Sequence, residues 1–331
     1  MTEGDAARLR RIRSLALALT VLSALVVLVS AMMRLDGAGL GCGDWPACYG
    51  QLLGREPQAL EFGIVRVFHR FAASTSLVLG CLLVWLCLRP RPLLPAIHYA
   101  SLLLLLMLAL AMLGIWSSDP RRVAVGFLNI MGGLGLVTFS WRVVLACNRD
   151  GFPVSELRPG LLLHLGIGGL SLTVMFGAWL GASYAALACT SVPDCDGAWW
   201  PAAAGLSALN PLLRQDAAPL NGDAGGVMLH LLHRYLAVGT LILLGTAAVR
   251  LLAGDSHRKT ARMVLALLIL ELVLGGLMVL GGLDLWAVVA HGVCASALLA
   301  AVATLLWRSR LVRVEGANAR TKLAGARRHS G

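Results

Sequence analysis

The sequence predicts an all-α membrane protein in which eight transmembrane helices form two pseudo-symmetric four-helix bundles. Composition, the spacing of apolar segments and an internal repeat lead to this prediction. Of the 331 residues, 58% are hydrophobic and only 14% are charged, which is too little charge to cover a soluble domain of this length. The net charge is +11, but the basic residues cluster between apolar segments and near both termini. That placement is typical of membrane proteins, so we expect a lipid bilayer and no nucleic acid as a partner.

Eight apolar segments are long enough to cross a bilayer core, which needs about 20 helical residues. The predicted spans are Ser14–Met33, Ile64–Leu88, Leu93–Trp116, Val123–Val144, Leu161–Ala182, Val227–Leu252, Ala261–Leu280 and Leu285–Trp307. They divide the chain into an N-terminal tail (1–13), a first four-helix repeat (14–146), a linker (147–160), a second repeat (161–307) and a basic tail (308–331).

The basic residues predict the orientation of these spans. Arginine and lysine cluster in segments 1–13, 89–91, 149–158 and 258–262 and after residue 307. Acidic residues predominate in the two long loops at 34–63 and 183–226, with Arg121 and Arg122 as an exception on that side. Since positive charge is retained in the cytoplasm, we expect both termini and the linker to be cytoplasmic. Abundant arginine with very little lysine suggests a GC-rich bacterial genome, and hence a bacterial inner membrane.

The two long outer loops share a motif. Each contains the pattern C-x3-P-x-C-x-G, and each is followed by a helix that carries a His-Arg dipeptide. The matching residues are Cys42, Pro46, Cys48, Gly50 and His69-Arg70 in the first half, and Cys189, Pro193, Cys195, Gly197 and His233-Arg234 in the second. The shared order indicates a parallel duplication of a four-helix unit.

The cysteines of the two loops could bind a metal or form disulfides. Neither pair has two further ligands nearby in the sequence, and both lie in a predicted oxidising compartment, which favours the bonds Cys42–Cys48 and Cys189–Cys195. Each bond could serve only to hold its loop, or it could be redox-active if the short loop strains it.

Three histidines on three helices occur at one predicted depth. His69, His233 and His291 lie five or six residues below the outer ends of their helices, roughly 8 Å deep. The equivalent residue on the fourth helix is Asn129. Ionisable residues inside a membrane are costly and usually functional. These histidines could be hydrogen-bonded structural residues, but a layer of imidazoles on facing helices is better explained by iron in a porphyrin.

A porphyrin would be held differently in the two halves. His233 and His291 would supply both axial ligands in the second half, as in electron-transfer sites. In the first half His69 would face Asn129, a poor iron ligand, which leaves an open position suited to chemistry.

Arg70 and Arg234 directly follow the ligand histidines, and Arg34 ends the first helix. Arginine inside a membrane needs an anionic partner, and heme propionates fit that need. The alternative is structural pairing with Glu61 or Asp223. For His98 and His164, near the cytoplasmic ends of their helices, we expect a snorkelling or packing role. His230 precedes His233 by one turn, and Glu271 lies mid-span, where it is either hydrogen-bonded or part of a proton path.

The segment Arg34-Leu-Asp-Gly-Ala-Gly-Leu-Gly-Cys42-Gly-Asp-Trp-Pro46-Ala-Cys48-Tyr-Gly50 resembles the first outer loop of the heme A synthases. The two His-Arg pairs, the second cysteine loop and His291 follow in the same order, so the resemblance spans nearly the whole chain. It implies an enzyme with heme b on His233 and His291 and with the substrate, heme O, at His69. A heme methyl would be oxidised to a formyl, giving heme A for cytochrome oxidase, and Cys42 and Cys48 would take part in the chemistry or in heme transfer. The implied partners are heme O synthase, cytochrome oxidase assembly and an electron donor or acceptor.

Two residues depart from the family pattern. Arg66 stands where the family usually has glutamate, and Asn129 where it usually has histidine. These differences are consistent with altered substrate-site geometry, a subfamily variant or an inactive relative. A heme b-binding electron carrier or oxidase assembly factor is therefore the main alternative. A small-molecule transporter is a third hypothesis, because transporters also contain parallel repeats, but the histidine layer disfavours it.

Overall fold

The computed structural model describes residues 3–37, 63–90, 94, 96–114, 122–147, 160–210, 212–215 and 218–328. These residues form no β-strand. Their α-helices are α1 (Glu3–Gly37), α2 (Gly63–Leu88), α3 (Ile97–Leu113), α4 (Val123–Ala146), α5 (Leu161–Ala182), α6 (Ala224–Leu251), α7 (Asp255–Leu280) and α8 (Leu285–Arg328). Two short 3-10 helices, Ala185–Leu187 and Ala203–Leu209, lie in the loop between α5 and α6.

Seven of these helices are long and apolar enough to cross a membrane, so the chain is an all-helical, multi-pass membrane protein. The exception is α3, an apolar helix of 17 residues that is shorter than the predicted span Leu93–Trp116. Two prolines, Pro92 and Pro95, precede it. Proline restricts its own backbone and that of the residue before it, so the helix begins only after them. The role of α3 as an eighth span stays a prediction.

Several other helices extend beyond their predicted spans. Helix α1 begins at Glu3, before Ser14, and α8 continues to Arg328, past Trp307. Helix formation propagates easily once a helix exists, and charged residues such as arginine and glutamate are good helix formers. Hydropathy therefore locates the apolar part of each helix better than its ends.

The first four helices pack in a ring, because α1 and α3 each contact both α2 and α4. Their apolar core lies toward the beginning of α1 and α3 and the end of α2 and α4. Large, fully buried side chains there are Ile12, Leu19, Leu83, Leu103 and Val143. The helix ends that carry His69 and Asn129 lie on the opposite side of this core.

The last four helices repeat this arrangement in part. Helix α6 packs against α5 and α7, and α7 packs against α8. The apolar core again lies at the end that includes the start of α5 and α7, with Leu163, Leu244, Val264 and Leu305 fully buried. In both halves, one end of the helices is therefore apolar, and His69, His233 and His291 lie toward the other end. The pseudo-symmetry of two bundles stays a prediction.

Helices α4, α5 and α8 join the two halves. The rings of Phe127 on α4 and Trp179 on α5 lie with their centres 5.1 Å apart. At the other end of α4, Trp141 Nε1 donates a hydrogen bond to Thr304 Oγ1 on α8 at 2.8 Å. The buried Arg142 donates to the Ala303 carbonyl at 3.2 Å.

Candidate functional site

The most developed polar site lies in the second half, where α6 and α8 both pack against α7. His233 on α6 and His291 on α8 face each other with ring centres 6.4 Å apart and ring planes at 86°. The sequence predicted that these two imidazoles act together, and the structure brings them together.

The backbone of α5 fixes the His233 ring. His233 Nδ1 lies 3.0 Å from the carbonyl oxygen of Thr173. A carbonyl can only accept a hydrogen bond, so Nδ1 carries the proton and donates it. The lone pair of a neutral imidazole is then on Nε2, which is free to bind a ligand.

The close approach of α5 to His233 requires a glycine at position 177. A Cβ atom at Gly177 would lie 2.8 Å from His233 Cε1 and 3.2 Å from Nδ1. The first distance is shorter than any carbon–carbon contact that a folded protein tolerates. Gly177 therefore allows the ring to rest against α5 within reach of the Thr173 carbonyl.

A carboxylate holds the His291 ring. Oε2 of Glu271 lies 2.6 Å from Nδ1 of His291, and the two side chains are 15% and 27% exposed. The turn between α7 and α8 explains this pairing. Gly282 has a φ of +63°, and Leu283 N donates to the Met278 carbonyl, which closes α7 in a short turn. The helices then run antiparallel, which brings position 271 opposite position 291.

The Nδ1 atom of His233 is thus hydrogen-bonded, and that of His291 lies at ion-pair distance from Glu271, although its N–H direction does not complete a hydrogen bond among the described residues. Both Nε2 atoms remain available. Two imidazoles that bind one metal ion from opposite sides, at about 2.0–2.1 Å per bond, have ring centres roughly 6.3–6.5 Å apart. The observed 6.4 Å fits this arrangement. In the part of the chain that the structure describes, no group of three or more His, Cys, Asp or Glu side chains could hold a bare metal ion. Two facing histidines without a third side chain suit a metal whose other ligands come from a macrocycle.

Arg234 adjoins this pair and contacts the outer loop. One guanidinium nitrogen, Nη1, donates to the carbonyl oxygens of Pro193 and Asp194. The other, Nη2, is buried without a hydrogen-bond partner among the described residues. A buried N–H donor without a partner is costly, so this atom is suited to an anionic group of a ligand. The predicted alternative partner, Asp223, instead caps α6 by accepting from Gly226 N at 2.8 Å.

His230 has a structural role in the described chain. Its Nε2 lies 2.9 Å from the Ala185 carbonyl and 3.2 Å from that of Ala186, and the residue is 6% exposed. It therefore holds the loop after α5 against α6. The sequence showed its proximity to His233 but not its partner, since any residue can supply a backbone carbonyl.

The loop between α5 and α6 contains the predicted disulfide between Cys189 and Cys195, which is confirmed and buried. Thr190 donates to both carboxylate oxygens of Asp196, from Oγ1 at 2.6 Å and from its backbone N at 3.0 Å. These hydrogen bonds lower the pKa of Asp196 below its ordinary value, because they stabilise the ionised carboxylate. Since Arg234 binds the same loop, the disulfide segment and the histidine site are physically connected.

The first half carries fewer of these features. His69 on α2 and Asn129 on α4 are half-buried, and Arg70 is exposed. No hydrogen bond to either His69 or Asn129 is found in the described part of the chain. Cys42, Cys48 and Glu61 lie outside the described residues, as do the side chains of Arg34 and Arg66. The exposed residues His98 and His164 lie in the first turns of α3 and α5, at the opposite end of the bundle from His69.

The chain resembles known proteins over most of its length. The sequence profile of the family described as cytochrome oxidase assembly protein (COX15-CtaA) matches residues 13–303. The chain belongs to this family. Its relatives include the heme A synthase of Shewanella oneidensis, which is 30% identical over 319 residues, covering 87% of this chain and 94% of the relative. The heme A synthase of Symbiobacterium thermophilum is 27% identical over 303 residues, covering 86% and 90%.

The family match includes the four helices that carry the histidine layer and its equivalent position on α4. His69, Asn129, His233 and His291 all fall within residues 13–303. Sequence reasoning missed Gly177 and the Thr173 carbonyl as the support for His233. The contact between Glu271 and His291 could have been predicted from the sequence, because the two residues lie equally far from Gly281 on either side of the α7–α8 turn.

Proposed function

We propose that this protein is a heme A synthase, which oxidises a methyl group of heme O to a formyl and so supplies heme A for cytochrome oxidase. The His233–His291 pair carries the proposal, because its spacing, the hydrogen-bonded Nδ1 of His233 and the Glu271 carboxylate beside His291 suit a bis-histidine heme b. The likeness to heme A synthases over most of the chain supports it. When bound, heme b supplies a one-electron redox centre.

The residues around the pair have proposed roles in holding that heme. His233 and His291 bind iron through Nε2. Arg234 binds a propionate through the buried Nη2 atom, which has no partner among the described residues, while its Nη1 remains on the loop carbonyls. The apolar cluster around Leu244 and Leu305 closes the cytoplasmic end of the second half and excludes water from below.

In the first half, heme O binds at His69, with Arg34 and Arg70 positioned for its carboxylates. Cys42 and Cys48, as a disulfide or a dithiol, act in the chemistry or in heme transfer. Converting a methyl to a formyl replaces two C–H bonds with a C=O bond. With water as the oxygen source the conversion releases four electrons and four protons, so an electron acceptor must serve the site. Heme O arrives from its synthase, and the product goes to oxidase assembly. Eight spans with both termini cytoplasmic, in a bacterial inner membrane, complete the proposal.

The second candidate is a heme b-binding electron carrier or oxidase assembly factor without synthase activity. Asn129 favours it, because an amide on α4 replaces the imidazole that would face His69. This candidate keeps the heme on His233 and His291 and requires no reaction at His69.

Co-expression with a source of heme O separates the two. Mass measurement of hemes extracted from the membranes should show heme A that is absent without this protein. An extract that contains only hemes B and O, together with a heme-loaded purified protein, would replace the synthase with the electron carrier. A His69→Ala variant provides the matched control, because it keeps the second-half site and should lose heme A production.

A further inference from the structure

The two facing histidines have unequal supports. His233 Nδ1 meets a neutral carbonyl at 3.0 Å, whereas His291 Nδ1 meets a carboxylate at 2.6 Å. At 2.6 Å the carboxylate is close enough for a charge-assisted hydrogen bond, which is roughly twice as strong as one to a neutral acceptor, and a small rotation of the ring is needed to complete it because Nδ1 has no hydrogen bond of normal geometry among the described residues. The two imidazoles are therefore different ligands, although the residue type is the same.

The Glu271 carboxylate has two neighbours on α8, the His291 ring and the Cys294 thiol. It lies mid-span on α7, where a carboxylate is costly unless it is paired. Its side chain is 15% exposed, and His291 is its ion-pair partner within the described chain. The ring also rests near Gly275, one turn further along α7, where a Cβ would lie 3.7 Å from Cε1. Helix α7 thus holds the ring from two adjacent turns.

The first half has no equivalent pair. The internal repeat aligns Asn129 with His291, and the part of α3 that corresponds to Glu271 contains Met107, Leu108 and Ala109. The imidazole and the carboxylate are therefore both present in one half and both absent from the other. This is the pattern expected if the two side chains work as one unit.

We propose that Glu271 is a positioning residue that fixes the tautomer and orientation of His291 and makes it the stronger of the two donor imidazoles. The proposal rests on the proposed heme b at His233 and His291. A carboxylate on Nδ1 keeps the proton on that side and increases electron density at Nε2. An electron-rich axial ligand stabilises the oxidised metal, so Glu271 lowers the reduction potential of the bound heme.

If Glu271 only held the ring in place, removing its charge while keeping its shape would leave the reduction potential unchanged. Glutamine has nearly the same shape as glutamate and can accept from Nδ1, but it carries no charge. Glu271→Gln should therefore keep the low-spin bis-histidine spectrum of the purified protein. At a fixed solution potential, the ratio of oxidised to reduced heme should be at least tenfold lower than in the wild-type protein. This change corresponds to a rise in the reduction potential of about 59 mV for one electron. An unchanged ratio with an intact spectrum would overturn the proposal.

The matched control is Ser296→Ala on α8. Ser296 Oγ donates to the Gly292 carbonyl at 3.1 Å and is buried, so its loss perturbs the same helix without removing a charge. This variant should keep the wild-type potential. An equal shift in both variants would assign the effect to helix packing and overturn the role of Glu271.

A second experiment does not depend on the stability of a Glu271 variant. In His291→Gly, added imidazole can bind the metal and donate N–H to Glu271, whereas 1-methylimidazole has no N–H to donate. Imidazole should restore the low-spin spectrum at a concentration at least tenfold lower than the concentration of 1-methylimidazole that is needed. If the two compounds are needed at equal concentrations, the proposal is overturned. A wild-type protein without a Soret band would instead reject the heme site itself, so the two failures are distinguishable.

Discussion

Gly177→Ala tests how closely α5 must approach the His233 imidazole. The added Cβ would lie 2.8 Å from His233 Cε1 and 3.2 Å from Nδ1. To reach an ordinary carbon–carbon contact of about 3.5–4.0 Å, the ring or the helix must move by roughly 1 Å. A movement of that size removes the 3.0 Å hydrogen bond to the Thr173 carbonyl.

Two terms give the size of the effect. The lost hydrogen bond is worth about 0.5–1.5 kcal/mol. Overpacking a well-filled interior costs about 1–3 kcal/mol. If half of this total of about 1.5–4.5 kcal/mol falls on the heme-bound state, affinity for heme falls roughly 3- to 50-fold, since about 1.4 kcal/mol corresponds to tenfold.

Heme titration of purified protein measures this change, with the low-spin spectrum as the readout. Gly168→Ala is the control on the same helix, because nothing lies within 4 Å of a Cβ at that position. Alanine also favours helix over glycine, so the control should fold at least as well. Equal heme affinity in the two variants would refute the claim that Gly177 positions His233.

The remaining predictions concern the division of the two halves and the outer loop. His291→Ala should abolish the low-spin spectrum, while His69→Ala should keep it and lose heme A production; spectral loss in both would contradict the division. His230→Leu should leave the Ala185 and Ala186 carbonyls without a hydrogen-bond donor, at a cost of about 1–3 kcal/mol. The backbone amides of the loop after α5 should then exchange hydrogen faster, while the heme spectrum is kept. Unchanged hydrogen exchange in this loop would contradict the structural role of His230. Because the pKa of Asp196 is lowered in the folded loop, its stabilisation is complete above the ordinary value of about 3.9 and is lost as pH falls through the lower folded value. Asp196→Asn should remove this acid dependence from the hydrogen exchange of the loop, and a variant with wild-type acid dependence would show that another group is responsible.

Much of the membrane architecture was predictable because lipid imposes simple requirements. A bilayer demands long apolar segments, and seven helices meet that demand where hydropathy located them. The helix ends were less predictable, since Glu3–Gly37 continues into charged residues that hydropathy scores as loop. The short helix α3 shows the opposite effect, because nearby prolines delay its start within an apolar segment.

The proximity of the two facing histidines was also predictable, whereas most of their supports were not. A repeated His-Arg pair and an intramembrane histidine are visible in the sequence at His233 and His291. The role of the Thr173 carbonyl could not be predicted from the sequence, because every residue has the same backbone carbonyl acceptor. Gly177 is one of many glycines in the chain, and only its distance to His233 distinguishes it. Glu271 was visible as a mid-span carboxylate, but its partner required the geometry of the α7–α8 turn.

The most direct test of the central claim is the absorbance spectrum of the purified, full-length protein. The account predicts a Soret band and low-spin α and β bands on reduction, with one heme b per chain bound between His233 and His291. A protein that binds no heme, before or after incubation with hemin, would contradict the account.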